Sequence, residues 1–298
     1  MSFKLSKQKK LSNNKFPIAR VRGGKEDKMY MYLNLTPYDI KDVSKKILEE
    51  CNEEEYKILQ DAILQNLEPD QEKLTDIFYK CKDYLKNKTS KFTLRSGGKL
   101  EPLPHPKLVE KILVSGISGS GKSVFSSRWI YNYLKQNRKN NFYIFSSVDE
   151  DECLDKLSPE RPDAYEVSMN GMDLEDVENS LFLFDDIATI SDRGTRKGIE
   201  AFRNDLLECG RHYRSSVVCT SHLITNGWES RRVLNESLGI CLFPKSNGKH
   251  IKAYLKNYEN WEDKEILRCL HLNSRWFFLV KNPLYPSYVL HERGVYLV

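Results

Sequence analysis

The chain has 298 residues, 40 % of them hydrophobic and 30 % charged, with a formal net charge of +5. That length and apolar content can bury a full α/β core, which excludes a wholly disordered or fibrous chain. No stretch is long and apolar enough to span a bilayer, and no apolar segment behind the N-terminus reads as a secretory signal. The seven cysteines are scattered and contain no C-x-x-C pair, which argues for reduced thiols and against a structural zinc site.

Charge divides the chain. Lys4, Lys7, Lys9, Lys10, Lys15, Arg20, Arg22 and Lys25 stand in residues 1–25 with no acid among them. Residues 1–27 therefore read as a basic, disordered tail that touches nucleic acid, an acidic partner or solvent alone. Residues 28–107 read as a helical lobe and linker. Thr36-Pro37 is a helix start, and Ile40, Val43, Ile47 and Leu48 follow at helical spacing. Tyr56, Leu59, Ile63 and Leu64 predict a second helix, and Leu74, Ile77, Phe78, Cys81 and Leu85 a third. Gly97-Gly98 and three prolines then mark a linker over 89–108.

From 108 to 298 strand and helix patterns alternate, which predicts an α/β fold with a mostly parallel sheet flanked by helices. Lys111–Ser115 is a short apolar strand that runs into Gly116-Ile117-Ser118-Gly119-Ser120-Gly121-Lys122-Ser123, a complete G-x-x-x-x-G-K-[ST] loop. The glycines let backbone N–H groups approach a polyphosphate, Lys122 can reach the β- and γ-phosphates, and the Ser123 hydroxyl can meet Mg²⁺. The helix from Val124 receives the anion at its N-terminus. Later strands are read at 142–145, 164–167, 181–184, 217–219 and 240–243, with helices at 199–209 and 231–236. The stretch 251–298 holds a short helix around 264–270 and the apolar run 276–280.

The strand Leu181–Phe184 ends in Asp185-Asp186, the Walker B pattern. Asp185 would support Mg²⁺ and Asp186 would act as general base toward water. Ligands gather at the carboxyl ends of strands in open α/β sheets, so both segments point to one crevice. A further strand, 217–219, ends in Thr220-Ser221-His222, where Ser221 or His222 would sense the γ-phosphate. This order of strands is the additional-strand type of P-loop NTPase. Arg211, Arg214, Arg231 and Arg232 are candidates for a transition-state arginine given by a neighbouring subunit. Arg193, Arg196 and Lys197 form a basic segment, read as a loop, that could meet DNA phosphates.

The ordered set Gly116–Ser123, Leu181–Asp186, Gly210-Arg211-His212, Val217–Leu223 and Arg232-x-x-Asn235 resembles the FtsK/HerA-type genome-packaging ATPases of poxviruses, giant viruses and virophages. The resemblance covers residues 108–245. It implies ATP and Mg²⁺ as cofactors, a homo-oligomeric ring of five or six subunits, double-stranded DNA as cargo, and capsid or portal-vertex proteins as partners. It also implies a place in the host cytoplasm, at a viral factory, and in the virion. Two positions depart from the family pattern, with Asp186 where Glu is common and Ser221-His222 where bacterial relatives often carry Gln. Two other readings stand beside it, a nucleotide-switched assembly scaffold with little hydrolysis and a P-loop nucleotide kinase.

Overall fold

The computed structural model describes residues 2–8, 11–12, 14–35, 40–95, 97–175, 177–283 and 285–298. The chain divides into two compact units, residues 1–100 with 294–298, and residues 101–293.

The first unit opens with strands β1 (Ser2–Ser6), β2 (Lys15–Arg22) and β3 (Tyr30–Asn34), all antiparallel, with β3 in the middle. A disordered tail was expected over 1–27. Instead Phe3, Phe16, Ile18, Ala19 and Val21 are buried, along with Met31, Tyr32 and Leu33 of β3. The basic residues masked a strand pattern: Lys4 and Arg22 sit on exposed positions while apolar neighbours turn inward. The Thr36-Pro37 helix start lies outside the described residues. A 3₁₀ turn at Ile40–Asp42 and a short helix α1 (Lys45–Leu48) take the place of one long first helix. Helices α2 (Glu53–Gln65) and α3 (Glu72–Thr89) follow. The start of α2 is fixed by a capping box between Asn52 and Glu55. Ile40, Val43, Leu59, Leu74, Ile77, Phe78, Cys81 and Leu85 share one core, so the apolar spacing read in the sequence is the packed face. Strand β4 (Lys91–Thr93) closes this stretch, and β5 (Lys99–Pro102) leads out of it.

The second unit holds β6 (Lys111–Ser115), α4 (Lys122–Gln136), β7 (Phe142–Ser146), α5 (Ala164–Asn170), β8 (Leu181–Asp185), α6 (Arg193–Cys209), β9 (Ser216–Ser221), α7 (Gly227–Glu236), β10 (Gly239–Leu242), α8 (Pro244–Asn257), α9 (Asp263–Leu270), β11 (Phe277–Val280) and β12 (Tyr288–His291). A last strand, β13 (Gly294–Leu297), belongs to the first unit and pairs antiparallel with β4. In the second unit the sheet order is β12-β11-β10-β6-β9-β8-β7. The five strands from β10 to β7 are parallel, while β11 and β12 are antiparallel additions. Strand β9 separates the phosphate-loop strand β6 from β8, which is the additional-strand order of P-loop NTPases. The central strands are apolar on both faces, as a covered parallel sheet requires. Phe202 of α6 lies 5.7–6.2 Å from the rings of Phe145, Phe182 and Phe184, the packing that holds α6 on the sheet.

In the second unit two further segments differ from the sequence reading. Ala164–Val167, expected as a strand, is helix α5. Asp163 caps it by accepting from Glu166 N–H at 2.8 Å, and Val167 is its buried anchor. The segment 193–198, expected as a loop, is the start of α6, because Asp192 accepts from Thr195 N–H at 2.6 Å. Gly198 lets α5 approach, since a Cβ there would meet Ser168 backbone at 2.6 Å.

Candidate active site

The parallel strands deliver their loops to one edge. Between β6 and α4, residues 116–121 form the glycine-rich loop expected to bind phosphate, and α4 starts at Lys122 behind Gly121. Gly119 and Gly121 take φ +74° and +108°. No side chain fits at Gly116, where a Cβ would stand 2.6 Å from Ser120 Oγ and 2.8 Å from the Phe243 ring. The Gly116 N–H donates to Ser221 O at 3.0 Å, which ties the loop to the end of β9. Lys122 is buried. Its Nζ donates to Gly116 O at 2.9 Å and pairs with Asp186 Oδ2 at 3.2 Å.

One hydroxyl positions both carboxylates. Thr220 Oγ1 donates to Asp185 Oδ1 at 2.7 Å and accepts from Asp186 N–H at 2.8 Å. Ser146 Oγ donates to Asp185 Oδ2 at 3.2 Å. Burial raises the Asp185 carboxyl above its ordinary range. The Thr220 and Ser146 bonds oppose that rise, while the charges of Asp186 and Asp151 add to it. Asp186 sits at φ +43°, a left-handed backbone that a side-chain-bearing residue adopts only where the fold imposes it. His222 Nε2 stands 3.3 Å from Asp186 Oδ2. A cavity of about 150 Å³ continues from Asp186 past His222, lined also by Ile187, Arg203 and Ile224.

The edge contains polar atoms with nothing to bind. The hydroxyls of Ser115, Ser120 and Ser126 and the Oδ1 atom of Asp186 are buried without a hydrogen-bond partner. Native proteins rarely leave such groups unpaired unless a ligand, ion or water completes them. The oxygen donors also suit Mg²⁺, which takes one or two carboxylates plus substrate phosphates rather than a protein cage. The described residues contain no cluster of three or more His, Cys, Asp or Glu side chains able to hold a metal.

The structure thus brings Gly116–Ser123, Asp185, Asp186 and His222 to one place. It does not bring the Ser221 hydroxyl there, because that group donates to Leu223 O at 2.9 Å within its own loop. The polar residue at the tip of β9 that touches the carboxylates is Thr220, one position earlier. Sequence reading passed over Thr220 and Ser146. Their signal was a hydroxyl at the C-terminal tip of each strand flanking β8.

The arginines go elsewhere. Arg231 and Arg232 are exposed on α7, and Arg232 Nε pairs with Glu208 at 3.1 Å. Arg211 and Arg214 lie at the opposite end of the sheet, with Lys111 and Ser216 at the strand starts, around a cavity of about 750 Å³. At that end Glu110 accepts from His105 N–H, and burial pushes its carboxyl up to about 7. Arg193, Arg196 and Lys197 share one face of the first turns of α6, with Arg193 and Lys197 exposed.

No family model matches the chain. The uncharacterized protein V3 of Sputnik virophage is 37 % identical over 201 residues, which span 66 % of this chain and 80 % of that protein. The chain belongs to the family of this virophage protein. Among solved structures, the genome-packaging NTPase B204 of Sulfolobus turreted icosahedral virus 2, in complex with AMPPCP, aligns with a TM-score of 0.44 and 11 % identity. That alignment covers 63 % of this chain and 98 % of B204. The pCW3 conjugation coupling protein TcpA, with ATPγS, aligns with a TM-score of 0.43 and 12 % identity over 94 % of this chain and 77 % of TcpA. These likenesses are of outline, at identities where side-chain roles do not transfer.

Proposed function

We propose that the chain is a Mg²⁺-dependent ATPase that drives double-stranded DNA into a viral capsid as a ring of subunits. The observation that carries the hydrolytic part is the contact of Lys122 with Asp186 at the mouth of a glycine-shaped phosphate loop, beside a second carboxylate held by Thr220 and Ser146. The DNA and packaging part rests on the ordered motifs of residues 116–235 and on kinship with a virophage protein.

In this reading the γ-phosphate takes Lys122 Nζ away from Asp186. The released Asp186 carboxylate then orients the attacking water and accepts its proton, with His222 Nε2 steadying the same oxygen. Lys122 and the loop N–H groups stabilise charge that develops on the phosphoryl oxygens. Ser123 and Asp185 are the residues that would hold Mg²⁺, which supplies charge neutralisation between the phosphates. An arginine from a neighbouring subunit, Arg231, Arg232 or Arg211, would complete the charge balance.

Coupling to DNA has a short path. The Asp186 carbonyl accepts from both Thr189 N–H and Thr189 Oγ1, at 2.9 and 2.7 Å. The 3₁₀ turn Ile187–Thr189 leads directly to the basic start of α6. A shift of Asp186 on hydrolysis would thus move Arg193, Arg196 and Lys197.

The test is the steady-state ATPase rate of the full chain with and without long double-stranded DNA, with Lys122→Ala as the blank. Stimulation of several-fold that vanishes in the blank is the expected result, and ATP binding without DNA-dependent turnover would favour the switched scaffold instead. Replacing Arg193, Arg196 and Lys197 together by alanine should remove the stimulation while ATP binding persists.

A further inference from the structure

A guanidinium stands at the phosphate loop that no motif announces. Arg275 lies in the turn between α9 and β11, over 150 positions beyond the loop in sequence. Its Nη2 is 3.8 Å from the point where a side chain on Gly121 would begin. The Phe243 ring reaches the same point at 3.6 Å, so Gly121 is flanked by one aromatic edge and one cation.

The turn that carries Arg275 is a rigid mount. Its backbone N–H donates to Glu292 Oε2 at 2.9 Å. Ser274 Oγ donates to Trp276 O at 2.6 Å and accepts from Glu292 N–H at 3.1 Å. Ser274 and Glu292 are only 3 % and 9 % exposed. Trp276 then packs edge-on against Phe125 of α4, with ring centroids 5.1 Å apart. A buried carboxylate is costly and is retained where it fixes something. Here it fixes the backbone of a residue whose own side chain points out of the core.

The electrostatics call for an anion. Arg275 is exposed, and its guanidinium makes no ion pair or hydrogen bond among the described residues. Gly121, the residue it stands over, is the N-cap of α4, the positive end of the helix dipole. Lys122 has Asp186 as its counter-charge, whereas Arg275 has none among the described residues. A cation mounted at a positive helix end favours an anion there. The hydroxyl of Ser120 in the same loop is buried and without a hydrogen-bond partner.

We propose that Arg275 binds the β- and γ-phosphates of the nucleotide held on residues 116–123, acting within its own subunit. The inference rests on the nucleotide-binding reading above and adds a residue to it. A planar guanidinium suits the task, because its forked N–H groups meet phosphate oxygens in pairs. Gly121 directly precedes Lys122, the residue that reaches the β- and γ-phosphates, so a group over Gly121 meets the chain beyond the α-phosphate.

The experiment is competition of ATP, ADP and AMP against a fluorescent ATP analogue on the full chain, for wild type, Arg275→Ala, Arg275→Lys and Lys122→Ala. Arg275→Ala should weaken ATP and ADP about tenfold to a hundredfold, the loss of charge-assisted hydrogen bonds, while AMP is unchanged. Arg275→Lys, which keeps the charge and loses the fork, should fall between, and its thermal unfolding should match wild type. ATP and ADP affinities unchanged in Arg275→Ala, with Lys122→Ala defective, would overturn the proposal and leave the nucleotide reading standing. An equal loss for all three nucleotides would also overturn it. Wild-type protein that binds none of them would overturn both.

Discussion

The two ends of the parallel sheet hold similar residues and treat them differently. At the C-terminal ends of the strands, Asp185 and Asp186 are met by Thr220, Ser146, Lys122 and His222, and the groups left over are small, buried and convergent. At the N-terminal ends, Glu110 has its carboxyl against one backbone N–H, while Arg211 and Arg214 stand exposed around an open cavity. Charge is present at both ends, so charge does not distinguish them. Left-handed residues also occur at both ends, Asp186 at one and Asn179 and Arg214 at the other, so the chemistry edge is distinguished by convergence: one threonine holds two carboxylates beside a buried lysine. The other end shows an isolated acid whose affinity for protons is raised by burial alone.

This contrast can be broken in order of effect. The largest change should come from Asp186→Asn, which keeps the shape and removes the base. Turnover should fall by about 10²–10⁴, while ATP affinity persists or improves because Lys122 loses its competing partner. Single-turnover hydrolysis alongside equilibrium ATP binding separates the two effects. Thr220→Val should act less strongly. It leaves the Asp186 N–H and the Asp185 carboxylate each short of a partner, which destabilises the fold by about 1–3 kcal/mol and lowers turnover as the carboxylates lose their register. Denaturant unfolding gives the first figure and the ATPase rate the second; a wild-type rate would show that the threonine merely packs.

The mildest perturbation sharpens the comparison at the other end. Glu110 has its carboxyl raised from an ordinary 4.5 to about 7, so the folded state holds a proton that the unfolded chain has released. Stability should therefore be lost as pH rises from about 4.5 to about 7, by about 1–3 kcal/mol, and stay low above that. Glu110→Gln keeps an acceptor for His105 N–H and cannot ionise. Its unfolding midpoint should fall less than that of wild type between pH 5 and pH 8. An identical fall in the two proteins would mean that the carboxyl is solvated after all.

The residues of the candidate site that lie in contiguous motifs were legible before folding. The loop Gly116–Ser123 and the acids after Leu181–Phe184 could be singled out by their fixed local spacing next to a strand, and the fold brings them together. Helices α2, α3 and α4 followed from apolar residues recurring on one face. The misreadings share a cause. In residues 15–22, a run of buried residues from Phe16 to Ala19 was hidden by flanking basic side chains, and in 164–170 a capping Asp163 outweighed a short apolar run. Each depended on which neighbour covered the segment.

By itself the sequence determined that a glycine-rich loop behind a strand and a tandem acid behind another occur together, since each is written in contiguous residues, and the alternation of strand and helix patterns implied a parallel sheet. It could not rank Thr220 above Ser221, because their difference lies in which hydroxyl faces β8 once β9 is seated beside it. Nor could it bring Arg275 to Gly121 or send Arg211 away from Lys122. Those placements were decided by strand order and by a buried Ser274–Glu292 contact, because residues distant along the chain meet only where packing and hydrogen-bond satisfaction of the whole unit put them.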